Sequence, residues 1–179
     1  MKENILVKDK YFKVFITEQE IQERIATISA EMTAIYENKQ PIFIAILNGS
    51  FMLASDVIKS INFDCEVNFT KLSSYESMSS SGNVSTLIGL NKSVAGRHVI
   101  ILEDIIDTGR TMHHFTKALE QEKPASVSIC SLLVKPTALQ FNIDIDYIGF
   151  EIEDKFVIGY GLDYDELGRN YRDIYKLAE

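Results

Sequence analysis

Apolar residues recur at Ile21, Ile25, Ile28, Met32 and Ile35, three or four positions apart, which places them on one face of an amphipathic helix. Thr17-Glu18-Gln19-Glu20 precedes that stripe and fits a capping box, in which the threonine and glutamate side chains satisfy free backbone amides reciprocally. Elsewhere the apolar positions are continuous. Pro41 to Leu47, Val99 to Leu102 and Val127 to Val134 read as strands, with a further run from Cys65 to Leu72. Phe51, Met52, Leu53, Val57 and Ile58 suggest a helix with Ser50 as its N-cap, and Arg110 to Glu120 reads as a further helix. Strand, helix, strand implies parallel crossovers and an α/β fold. In such sheets ligands bind beyond the carboxyl ends of the strands, which is where the polar clusters at 48–50, 103–111 and 135–137 fall. The serine-rich stretch from Ser73 to Gly82 is too polar to pack and is expected to be a mobile loop.

Composition narrows the class. The 179 residues suit one compact domain, with 46% hydrophobic and 25% charged residues, as in ordinary globular chains. A net charge of −8 argues against nucleic acid as a partner, because that affinity rests on lysine and arginine neutralising phosphates. No apolar run approaches the roughly 20 residues that span a bilayer, and Met1-Lys2-Glu3-Asn4 lacks the features of a secretory signal, so a cytoplasmic protein without a membrane partner is expected. Cys65 and Cys130 lie far apart in apolar segments and are expected to be buried thiols. His98, His113 and His114 complete no zinc spacing and read as structural or surface residues.

The chemistry concentrates in Val99 to Thr111. Four apolar residues lead into Glu103-Asp104, then two isoleucines, then Asp107-Thr108-Gly109-Arg110-Thr111 at a helix start. A glycine between threonines at a helix N-terminus suits a phosphate: amides converge, hydroxyls donate, and the positive end of the dipole faces the anion. Glu103 and Asp104 suit the vicinal hydroxyls of a ribose and can hold water around magnesium. Together they describe a ribose 5-phosphate site. The plainer alternative is a pair of solvated acids followed by a helix cap.

Val99–Thr111 resembles the phosphoribosyl pyrophosphate signature of type I phosphoribosyltransferases, and matching features extend over nearly the whole chain. Within that group the chain is similar to the hypoxanthine-guanine phosphoribosyltransferases, through Leu47-Asn48-Gly49-Ser50, Ser74-Tyr75, Ser131 to Lys135, and Asp154 to Tyr164. The resemblance implies a single domain over 1–179. Its core, about 37–150, would be a mostly parallel sheet flanked by helices, under a small hood made of the N-terminal segment and about 151–179.

The resemblance also implies roles. Asp107 to Thr111 would cradle the 5-phosphate, Glu103 and Asp104 would face the ribose hydroxyls, and Asp107 would be the general base near purine N7. Lys135 would donate to O6 of the base, Phe156 would stack on the purine, and the backbone of Val157 would reach it. Asp163 would lie at the purine and, with Glu103 and Asp104, serve Mg2+ as cofactor. Arg169 would contact pyrophosphate, with Arg172 as a competitor for that role. Leu47, Asn48 and Gly49 would form the pyrophosphate loop, where the family often has a lysine in place of Asn48 and a cis peptide after the leucine. Ser74 and Tyr75 would belong to the loop that closes over the reaction centre. The implied activity transfers phosphoribose to hypoxanthine, guanine or xanthine, in a homodimer or homotetramer. Two rivals are a same-fold enzyme using adenine or orotate and a nucleotide-sensing RNA regulator.

Overall fold

The computed structural model describes residues 4–72, 86–88 and 92–178. The chain runs β1 (Asn4–Val7), β2 (Lys10–Ile16), α1 (Glu18–Tyr36), β3 (Ile42–Leu47), α2 (Phe51–Ser60), β4 (Glu66–Leu72), β5 (Thr86–Ile88), β6 (His98–Ile106), α3 (Arg110–Gln121), β7 (Ser126–Val134), β8 (Tyr147–Glu151), β9 (Val157–Ile158) and β10 (Ile174–Leu177). A six-stranded sheet has the order β5-β4-β3-β6-β7-β8 and is parallel except for β5.

The apolar strands β3 and β6 acquire two buried faces, whereas β4 leaves Val67 and Phe69 exposed. Phe43, Ala45, Ile100 and Leu102 pack under α1 and α2 with Ile21, Ile25, Leu53 and Val57. Ile42, Ile44, Val99 and Ile101 alternate to the other face, against Met112, Phe115 and Leu119 of α3. The capping box at Thr17 and Glu20 is present. Ile35 departs from the expected stripe, being 48% exposed, while Tyr36 is buried and its hydroxyl meets Ser128 Oγ at 2.9 Å. With 3.6 residues per turn, positions 35 and 36 lie on opposite rims of the stripe, and only the second faces the sheet. Ser50 stands before α2 but does not cap it; its Oγ donates back to the Ile46 carbonyl at 2.6 Å. Cys130 is buried, whereas Cys65, at the margin before β4, is only half-buried.

The chain ends build a second, antiparallel sheet, β1-β2-β10-β9, with its own small core of Val7, Phe12, Ile158 and Tyr175. It joins the main body through Val157, Tyr160, Leu162 and Ile174, which pack in the α1/α2 core. Among the described residues, no helix is long and apolar enough to cross a membrane.

Candidate active site

β6 continues through Glu103-Asp104 to Ile106, four residues past the apolar run that announces it. The two acids therefore sit within a strand, between β3 and β7, rather than on a loop. Glu103 Oε2 is buried without a hydrogen-bond partner. Burial, with the neighbouring Asp104, holds the Glu103 carboxyl well above the usual carboxylate range. Burial also lifts Asp104, against the opposing pull of its hydrogen bonds and of Arg169.

The sign of the Glu103 shift yields a prediction. An acid raised in the folded state weakens the fold progressively as pH climbs above its unfolded value, about 4.3, toward the raised value. Glu103→Gln should remove this penalty and raise the melting temperature of the metal-free protein at pH 7.5 by roughly 2–8 °C, for about 1–2 kcal/mol. Melting curves at pH 5 and 7.5 check it, and an equal gain at both pH values would contradict it.

Beyond β6 the chain turns through Asp107-Thr108-Gly109. Gly109 is the N-cap of α3 at φ +77°, a left-handed conformation that glycine adopts freely, and it brings no side chain to the first amides of the helix. A cavity of about 260 Å³ opens there, lined by Leu47, Glu103 and Asp107 to Thr111 among others. The Thr108 hydroxyl accepts from the Arg110 amide at 3.4 Å. The Arg110 guanidinium lies over the Phe141 ring, 5.9 Å from its centroid, so its charge sits beside the loop.

β7 ends one residue before Lys135, which is 7% exposed. Its ammonium donates to Asp107 Oδ2 at 3.1 Å and Asp154 Oδ1 at 2.9 Å. The structure thus links Asp107 to Lys135 and adds Asp154, a partner not assigned from sequence. Its position two residues before Phe156 was the only local signal.

The Leu47-Asn48 peptide bond is cis. Gly49 lies against the Asp104 carboxyl, leaving no room for a β-carbon, and Gly161 at φ +100° is equally tight against the Gly49 carbonyl. Arg169 donates to the Gly161 carbonyl at 2.8 Å and pairs with Asp163 at 2.8 Å. Arg172 instead pairs with Glu18 near the surface, with its side chain 76% exposed, so Arg169 is the arginine that reaches this group. Asp163 also accepts from the Glu166 amide.

Among the described residues, no three histidine, cysteine, aspartate or glutamate side chains gather as a metal cluster, so Asp163 does not join Glu103 and Asp104 in one. The paired acids and the unpartnered Glu103 oxygen nevertheless fit a hard cation that completes its shell with water and ligand oxygens.

Phe156 is 45% exposed beside Phe12 and Tyr164, with the Lys10 ammonium over the Tyr164 ring at 4.8 Å. Val157 is buried in β9 against β10. Ser74 and Tyr75 lie outside the described residues. Outside this group, His98 Nδ1 meets Ser126 Oγ, and His113 and His114 stack with Phe141.

Comparison with known proteins places this geometry. Residues 15–165 match the family model described as a phosphoribosyl transferase domain. A hypoxanthine phosphoribosyltransferase of Haemophilus influenzae is 38% identical, with 96% of this chain and 98% of that protein covered. A hypoxanthine-guanine phosphoribosyltransferase of Bacillus subtilis is 40% identical, covering 92% of each. The crystal structure of a hypoxanthine phosphoribosyltransferase from Staphylococcus aureus superposes with a TM-score of 0.88 at 38% identity, over 93% of this chain and 91% of that one.

Proposed function

The chain belongs to the phosphoribosyl transferase family, in its hypoxanthine-guanine branch and with the type I fold, and from that premise we propose how its residues divide the reaction. The enzyme transfers the 5-phosphoribosyl group of phosphoribosyl pyrophosphate to a purine base, as in purine salvage. The C1–pyrophosphate bond breaks, a purine nitrogen bonds to C1, and pyrophosphate leaves.

In our reading the acceptors are 6-oxopurines, giving IMP or GMP. What supports this is the Lys135 ammonium, fixed between two carboxylates of which one, Asp107, lines the cavity at 107–111. It presents a donor to O6, where adenine carries an amino group instead. Asp107 to Thr111 hold the 5-phosphate by amides, hydroxyls and the helix dipole, with Arg110 adding peripheral charge. Glu103 and Asp104 orient the ribose hydroxyls. Asp107, half exposed beside Lys135, accepts the proton released near N7. Phe156 offers its open face to the purine, while Val157 and Asp163 bound the base in the hood. Leu47, Asn48, Gly49 and Arg169 hold the pyrophosphate end, and Ser74 and Tyr75 are assigned to the closing loop.

Mg2+, when bound, supplies charge neutralisation of the departing pyrophosphate. Glu103 and Asp104 would hold it, with Asp163 and its Arg169 partner nearby; the unpartnered Glu103 oxygen and the pull of Arg169 on Asp104 support this reading. Asn48, uncharged where a lysine is common, leaves that neutralisation to backbone amides, Arg169 and the cation. A homodimer or homotetramer, working in the cytoplasm, completes the proposal. To test it, hypoxanthine, guanine, xanthine and adenine would each be offered with phosphoribosyl pyrophosphate and magnesium while nucleotide formation is followed. Turnover of hypoxanthine, guanine or both without adenine is expected; efficient use of adenine without the 6-oxopurines would defeat the assignment of Lys135.

A further inference from the structure

Tyr160 takes no part in the roles above, yet it is one of the largest fully buried side chains and stands at φ +48°, a left-handed conformation unusual for a tyrosine. Its hydroxyl donates to Asp56 Oδ2 at 2.6 Å. The same oxygen accepts from Gln22 Nε2 of α1 at 2.6 Å, and Lys59 pairs with Oδ1 at 2.6 Å. Burial works against the Asp56 charge, but the hydrogen bonds from Lys59, Tyr160 and Gln22 outweigh it and hold the carboxyl below its ordinary range. An ionised, partly buried acceptor makes the stronger kind of hydrogen bond.

The position of this bond gives it a consequence. Asp56 lies on α2, the helix that starts directly after Asn48-Gly49-Ser50. Tyr160 lies in the tight turn Gly159–Leu162, closed by reciprocal backbone bonds of 3.0 Å between Gly159 and Leu162. The next residue, Gly161, abuts the Gly49 carbonyl, and its own carbonyl accepts from Arg169. The Gly161 amide in turn donates to the Arg169 carbonyl at 2.9 Å. One side-chain bond therefore ties the body of α2 to the turn that leans on the loop at the helix's own N-terminus.

We propose that Tyr160 and Asp56 form a positioning pair for the pyrophosphate end of the site, a clasp that holds Gly161 against Gly49 and Arg169 in register with the 47–49 loop. The inference rests on the reading of that loop as the pyrophosphate site. It predicts a selective defect: loosening the clasp blurs donor binding and leaves the purine wall around Lys135 and Phe156 intact.

The test is steady-state kinetics with phosphoribosyl pyrophosphate and hypoxanthine varied separately, on variants whose melting curves are recorded. Tyr160→Phe keeps the buried ring and loses only the hydroxyl, and Asp56→Ala removes the acceptor. Each should raise KM for phosphoribosyl pyrophosphate about tenfold while KM for hypoxanthine stays within about twofold. The double variant should be no worse than the poorer single one, because both remove the same bond. Asp56→Asn, which keeps an acceptor oxygen, should recover most of the loss. Gly49→Ala serves as the probe of the loop itself. If it raises the donor KM and Tyr160→Phe does not, the clasp is wrong and the loop reading stands. If Gly49→Ala leaves the donor KM unchanged, the loop reading fails and the clasp falls with it. Equal losses for donor and purine in Tyr160→Phe would also overturn the proposal.

Discussion

Gly161→Ala should cost this enzyme most of its activity toward phosphoribosyl pyrophosphate and a large share of its stability. Two independent penalties meet at the position. The backbone stands at φ +100°, where an L side chain is strained, and the new β-carbon would overlap the Gly49 carbonyl, a backbone atom with no rotamer to escape into. Relief requires the turn or the loop to move, and either displaces Arg169, which is bonded to Gly161 in both directions. A loss of about 3 kcal/mol is expected, lowering the melting temperature by roughly 6–12 °C. The value of kcat/KM for the donor should fall about a hundredfold, as misplacement near 1 Å can produce. Gly96→Ala is the matched control. Gly96 also has positive φ, +71°, but nothing stands within 4 Å of its added carbon. It should lose about 1–2 kcal/mol of stability and no activity. Were the two variants to behave alike, close backbone approach would not be what position 161 requires.

Lys135→Met should abolish the preference for 6-oxopurines while leaving the fold nearly intact. Methionine replaces the aliphatic stem, so packing is largely kept. The abandoned carboxylates of Asp107 and Asp154 are 51% and 68% exposed at the side chain, where water can solvate them. The stability cost should therefore be at most about 1 kcal/mol. The kinetic cost is of another order: kcat/KM with hypoxanthine should fall by about 10² to 10³, and its ratio to adenine should approach unity. Lys135 is partly desolvated, which alone would lower its pKa, but Asp154 and Asp107 more than compensate and raise it. A raised lysine keeps its stabilising charge below the ordinary lysine range and loses it only as pH climbs through the raised value. Activity owed to Lys135 should thus show no alkaline decline between pH 7 and 9. A loss of activity shared equally by adenine and hypoxanthine would remove the selectivity argument.

What the sequence made legible was mostly local. The capping box at Thr17 and Glu20 needs residues only three apart, and the parallel strands announce themselves by apolar runs that require two buried faces. The turn before α3 was readable because one glycine between threonines carries its own geometry. β6 outruns its apolar signal because Glu103 and Asp104 break the apolar run although the backbone ladder continues through them. The pairings that Asp154 and Asp56 make were not readable. Each meets a residue on another element, 19 or 104 positions away, and no period or spacing encodes such pairs. A hood at the chain ends was implied only by family resemblance, and its sheet was not legible, since β2 finds its partner β10 from the far end of the chain.

That pairing has a consequence for biosynthesis. β2 is made early and pairs with β10, more than a hundred residues later, so closing this sheet means closing a very long loop, the slowest kind of contact to form. The parallel core can collapse while β2 still waits, with Phe12 uncovered and one backbone edge open. A chain that stops before Ile174 never leaves that condition. Such a fragment would keep the six-stranded sheet yet leave Phe12 and the β2 edge open, and is expected to aggregate more readily than a chain that carries β10.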